Sequence, residues 1–274
     1  MKSKLCVMTM LLVSSTAFAA DGVVSDEVIA KQRANLAENT KEKGFGPQSP
    51  RDIDNLDGHN DRSFGIAPGF EQMNLCNIHF HKNAEHKGGE FTQFAGNGDG
   101  KGYNTGYQYN GQLTKEELQP FKHKELQSGD TIEVHYVYSS ANVKPGATLG
   151  ACLSESIQNP QLRVEAQVYV LVNDDEALDF AVLTDYGQRN GYYQALNIPN
   201  DTGTPIQYAG STTGPSYNEQ GSPLQVTWSV RPNVAKVSIA SVAKWLEGND
   251  FKENHAHGVR NLVINPELLS VGHQ

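Results

Sequence analysis

The chain has 274 residues, of which 38% are hydrophobic, with 22 Lys and Arg against 31 Asp and Glu. That apolar fraction supports a sizeable core and excludes global disorder. The net charge of −9, with no basic block, argues against nucleic-acid binding, and no apolar run after residue 20 is long enough for a membrane span.

In chain order, a positive start (Lys2, Lys4) precedes an apolar stretch over 5–13 and the small-residue site Ala17-Phe18-Ala19. This pattern predicts a cleaved secretory signal peptide over 1–20 and a periplasmic or secreted protein. Its removal takes away Lys2, Lys4 and Cys6, leaving 20 basic against 31 acidic residues. The remaining cysteines, Cys76 and Cys152, predict one disulfide in an oxidising compartment. In a regular strand Cys76 faces away from His79. Residues 21–46 read as an N-terminal helical segment, starting at Ser25 and ending at Gly44. Residues 47–274 read as a single catalytic domain. Runs rich in Val, Ile, Tyr and Thr predict strands over 75–82, 131–139, 162–173, 179–184 and 224–230. Residues 96–110 read as a surface loop, and 239–247 as a short helix. The fold class is mainly β with short helices (α+β).

The chemistry concentrates in histidines. Nine occur, and the informative run is Cys76-Asn77-Ile78-His79-Phe80-His81, followed by Glu85-His86. Residues i and i+2 of a strand share a face, so His79 and His81 point the same way. His135, in Glu133-Val134-His135, offers a third imidazole from another strand. Asn77 and Glu133 lie on the faces of His79 and His135, where each can orient its imidazole through the second ring nitrogen. Three neutral histidines with one open position suit catalytic zinc.

These segments together resemble carbonic anhydrases, most nearly the delta class, which shares its active-site pattern with the alpha class. The resemblance rests on His79-Phe80-His81, Glu85-His86 and Glu133-Val134-His135. It also rests on Gln48-Ser49-Pro50 upstream, and on Tyr208-Ala209-Gly210-Ser211-Thr212-Thr213-Gly214-Pro215 and Val226-Thr227-Trp228 downstream. The order agrees over roughly 47–262. It implies a large, twisted, mostly antiparallel sheet of the alpha-carbonic-anhydrase kind. It implies a zinc lyase that hydrates carbon dioxide to bicarbonate and a proton through zinc-bound hydroxide, with Zn2+ on His79, His81 and His135. By the same resemblance Thr213 accepts a hydrogen bond from the hydroxide and Glu85 accepts one from Thr213. Thr212 is the alternative, because Thr-Thr-Gly-Pro replaces Leu-Thr-Thr-Pro. Lys82 stands where the alpha class has Trp, His59 is the candidate proton shuttle, and His86 reads as structural. The partner is a small molecule, carbon dioxide or bicarbonate, and the oligomeric state is not legible.

Two other readings stay open. A cupin would use His79, His81 and Glu85 as ligands for Fe or Mn, although Met73 replaces its glycine and its second motif lacks a histidine. A periplasmic metal-binding protein without catalysis would recruit His255 and His257 to His79 and His81.

Overall fold

The structure is a computed structural model that describes residues 22–213 and 217–271. The expected signal peptide, Gly214 and Pro215 lie outside the described residues. In chain order the elements are α1 (Asp26–Thr40), β1 (Asn74–Lys82), β2 (Gln93–Phe94), β3 (Tyr107–Gln108), β4 (Thr131–Ser139) and β5 (Leu162–Val172). They continue with α2 (Phe180–Leu183), β6 (Tyr186–Arg189), β7 (Tyr192–Ala195), β8 (Ile206–Ser211), β9 (Gln225–Val230), β10 (Ala235–Ser238) and α3 (Ile239–Glu247). Short 3-10 turns lie at Phe70–Gln72, Leu149–Cys152 and Pro266–Leu268.

The main sheet has six strands, in the order β1-β4-β5-β9-β8, with β10 also paired to β5. Pairs β1/β4, β4/β5 and β8/β9 are antiparallel, and β5/β9 and β5/β10 are parallel. The sheet is therefore mixed, with antiparallel pairs in the majority. Alternation gives each central strand two jobs. Ile78 and Phe80 of β1 and Ile132, Val134 and Tyr136 of β4 enter one core, which α2 and α3 cover with Phe180, Val242 and Trp245. Each large side chain so buried contributes about 1.5–3 kcal/mol. Val137 and Val164 face the other side, with Trp228. That second face carries the candidate histidines.

Two expectations change. The run 179–184 is the helix α2, because the Asp179 carboxylate accepts from the backbone N–H groups of Ala181 at 2.7 Å and Val182 at 3.4 Å. A short apolar run cannot distinguish strand from helix by period alone, and the cap decides it. β1 is also irregular: its register with β4 shifts between Leu75 and Asn77. Leu75 packs with Ile78, but Cys76 packs with Val137 on the histidine side. This bulge overturns the opposite-face reading of Cys76. The disulfide Cys76–Cys152 is present, with Cα atoms 5.0 Å apart.

The N-terminal helix forms as α1, with Ser25 at its N-cap, and it ends at Thr40, before Gly44. Its Leu36 packs on Val263, Leu268 and Leu269 in a satellite core. Strands β2, β3, β6, β7, β8 and β10 lie outside the expected strand runs. The loop expected over 96–110 is largely that, closed at its base by the β2/β3 pair.

Candidate metal centre

Register builds the site. In the β1/β4 ladder His79 stands opposite His135 and His81 opposite Glu133. The ring centroids of His79 and His135 are 5.1 Å apart, and those of His81 and His135 4.7 Å. One ligand atom from each of His79, His81 and His135 lies within 4.8 Å of the others.

Each imidazole has one nitrogen committed elsewhere. His79 Nδ1 donates to Asn77 Oδ1 at 2.6 Å, while Asn77 Nδ2 donates to Gly146 O at 3.0 Å, which fixes the amide orientation. His81 Nδ1 donates to Gly258 O at 2.7 Å, and His135 Nε2 donates to Glu133 Oε1 at 2.8 Å. The remaining nitrogens, Nε2 of His79 and His81 and Nδ1 of His135, therefore carry the lone pairs. Burial holds all three rings below the ordinary histidine range, His81 at about 4. Neighbouring histidines lower His79 and His81 further, whereas Glu133 opposes the shift of His135. Neutral imidazoles with oriented lone pairs are the form a metal needs.

Glu133 is itself fixed. Its Oε2 accepts from the backbone N–H of Glu85 at 2.7 Å and of His86 at 3.0 Å. Its Oε1 accepts from His86 Nδ1 at 2.7 Å as well as from His135. Burial pushes this carboxyl up, but His86 and His135 outweigh it and hold it well below the usual range. Burial raises Tyr208, so it keeps its proton and donates to His86 Nε2. His86 thus sits behind Glu133, fully buried. Sequence reasoning placed Asn77 and Glu133 beside the correct rings. It missed Gly258, because the contact comes from an isolated bridge between His81 and His257.

The three histidines line a pocket with Asn77, Glu85, Thr212, Thr213, Trp228 and the turn residues Thr148 and Leu149. The Ser49 hydroxyl accepts from Ser211 N at 3.1 Å and anchors the end of β8 that leads to Thr212 and Thr213. A Cβ on Gly210 would lie 2.0 Å from that hydroxyl, so the close approach requires glycine. Burial raises the carboxyl of Glu85, opposed first by His135. Among the described residues Glu85 makes no hydrogen bond to Thr212 or Thr213. Glu85 also belongs to neither group of metal-capable side chains found among the described residues, which removes the support for a cupin ligand set.

His59 is not brought here. It is exposed, pairs with Asp57 at 3.2 Å, and lines a separate cleft with Lys41 and Glu267. His257 does line the pocket, its ring 5.0 Å from that of His79, but its Nε2 is bonded to Glu253 at 2.6 Å. Neither His255 nor His257 joins the metal-capable group. Lys82 points away from the pocket, to Asp130 at 2.8 Å and Glu125 O at 2.9 Å.

A family model described as delta carbonic anhydrase matches residues 70–241. No curated protein matches the chain. Among solved structures, it is similar to an alpha-carbonic anhydrase of Photobacterium profundum at 17% identity, over 84% of this chain and 93% of that one, with a TM-score of 0.28. It is similar to a hyperthermostable carbonic anhydrase from an active hydrothermal vent chimney at 12% identity, over 81% and 89%, with a TM-score of 0.30. It is similar to the alpha-carbonic anhydrase of Thermovibrio ammonificans, in complex with the inhibitor sulfanilamide, at 16% identity, over 78% and 87%, with a TM-score of 0.27.

Proposed function

Because the chain belongs to the delta carbonic anhydrase family, we propose that it hydrates carbon dioxide reversibly to bicarbonate and a proton, with zinc held by His79, His81 and His135. The observation that carries this reading is the convergence of three imidazole nitrogens whose ring partners are each fixed by a hydrogen bond. Three neutral nitrogen donors, with no fourth protein ligand in the group, fit an open zinc site. When bound, zinc is a Lewis acid that makes a water molecule nucleophilic near neutral pH, the established chemistry of carbonic anhydrases.

The chain's own residues supply orientation. Asn77, Gly258 O and Glu133 hold the rings so that the lone pairs meet. Glu133 adds buried negative charge behind His135, which strengthens that ring as a donor. Thr213 and Glu85 line the same pocket without a hydrogen bond between them; in the working site the Thr213 hydroxyl would donate to Glu85, which would leave Oγ1 as an acceptor that orients the nucleophile toward carbon dioxide. Thr212 is the alternative for this role. Trp228 and Leu149 are the apolar surfaces of a pocket otherwise lined by polar groups, and they suit a substrate without charge. The mature protein works outside the cytoplasm, which agrees with its disulfide.

Metal analysis paired with a stopped-flow hydration assay tests this. About one zinc per chain and hydration that disappears on chelation are expected. A zinc-loaded protein without hydration would leave a metal carrier, and a protein that takes up no zinc would end the reading.

A further inference from the structure

A second cavity, of about 250 Å³, lies between α1 and the C-terminal stretch, apart from the histidine pocket. Leu36, Val263 and Leu268 give it apolar walls, and the side chains of Arg33 and Arg260 line it as well. Arg260 is only 5% exposed. Its Nη2 donates to Gln220 O at 3.1 Å, and its Nη1 has no hydrogen-bond partner among the described residues. Arg33 spends its Nε on Leu262 O at 3.2 Å. The only arginine ion pair among the described residues is Arg163–Glu165. Glu219 also lines the cavity and keeps one negative charge there, its carboxylate accepting from Asn35 at 2.6 Å; Glu85 and Glu219 both favour the charged form of Arg260, but among the described residues neither forms an ion pair with Arg33 or Arg260.

A guanidinium does not shed its charge at physiological pH, so a buried one with a spare N–H calls for an anion. A planar carboxylate matches the guanidinium fork. A bare inorganic anion would leave the apolar walls uncovered. We propose that this cavity binds a small organic carboxylate, with its anionic head on Arg260 and Arg33 and its apolar body on Leu36, Val263 and Leu268.

Benzoate is the probe, titrated calorimetrically into the zinc-loaded mature chain. A carboxylate can also reach a metal, so the titration is repeated in His135→Ala. Equimolar binding is expected in both, with no binding of benzylamine. Arg33→Gln should weaken benzoate about tenfold, the loss of one charge-assisted contact. Ile264→Glu, at a lining position 57% exposed, should do the same by repulsion. Absence of saturable binding in a folded His135→Ala, or equal affinity in Arg33→Gln and Ile264→Glu, overturns the proposal. If His135→Ala does not fold, the two cavity variants in zinc-loaded protein still decide it. None of these readouts depends on carbon dioxide hydration, so failure here is separate from failure of the proposed activity.

Discussion

The histidine strands and the threonine segment reach one pocket by different routes. β1 and β4 are adjacent and register-locked, and every ligand ring they carry has a fixed nitrogen. Thr212 and Thr213 follow β8, at the other end of the strand order, and are anchored through Ser49 rather than through Glu85. The first region is a rigid face and the second a strand end. Metal holding and rate tuning should therefore fail separately.

The most severe break is in the first region. His135→Ala should lose most of the zinc and reduce hydration to background, while His257→Ala keeps the zinc. Metal content after gel filtration checks this, and full zinc in His135→Ala would remove that residue from the site. Next in size is the disulfide behind β1. In the chain-entropy model, a loop closed across a separation of 76 residues stabilises by roughly 4–5 kcal/mol. The Cys76→Ala/Cys152→Ala pair should show that loss in urea denaturation, and an unchanged midpoint would exclude it.

The second region sharpens the contrast. Thr213→Ala should retain zinc and lose about 10²-fold in hydration rate, with a similar loss for Glu85→Ala. The double variant should be little worse than either single one, since the two residues act as a unit. Thr212→Ala should be mild. A crippled Thr212→Ala with a healthy Thr213→Ala would shift the role by one residue. The smallest effect is expected at Asn77. Asn77→Ala should weaken zinc about tenfold in chelator competition, with little change in rate at saturating metal. Unaltered affinity would mean that His79 needs no orienting partner.

The sequence made the ladder readable because period-two alternation and paired histidines follow from strand geometry alone. Asn77 and Glu133 were legible for the same reason, each two residues from its imidazole. What local pattern does not encode was missed. The bulge at Cys76 depends on register with β4, and α2 depends on the Asp179 cap. β10 is four residues long and gains its place by parallel pairing with β5. His59 follows Gln48-Ser49-Pro50 more closely than the alpha-class shuttle does, and position along a turn-rich stretch carries no direction. His257 reaches the pocket through a single long-range bridge, which no alternation announces.

That bridge bears on biosynthesis. His257 N donates to Phe80 O at 2.9 Å, Lys82 N donates to His257 O at 3.1 Å, and the carbonyl of Gly258 fixes His81. A nascent chain that has emerged through β5 already holds all three histidines, yet it lacks the acceptor that sets one of them. A product that stops before residue 258 should therefore bind zinc about tenfold more weakly, the loss expected when one orienting partner of a ligand ring is missing.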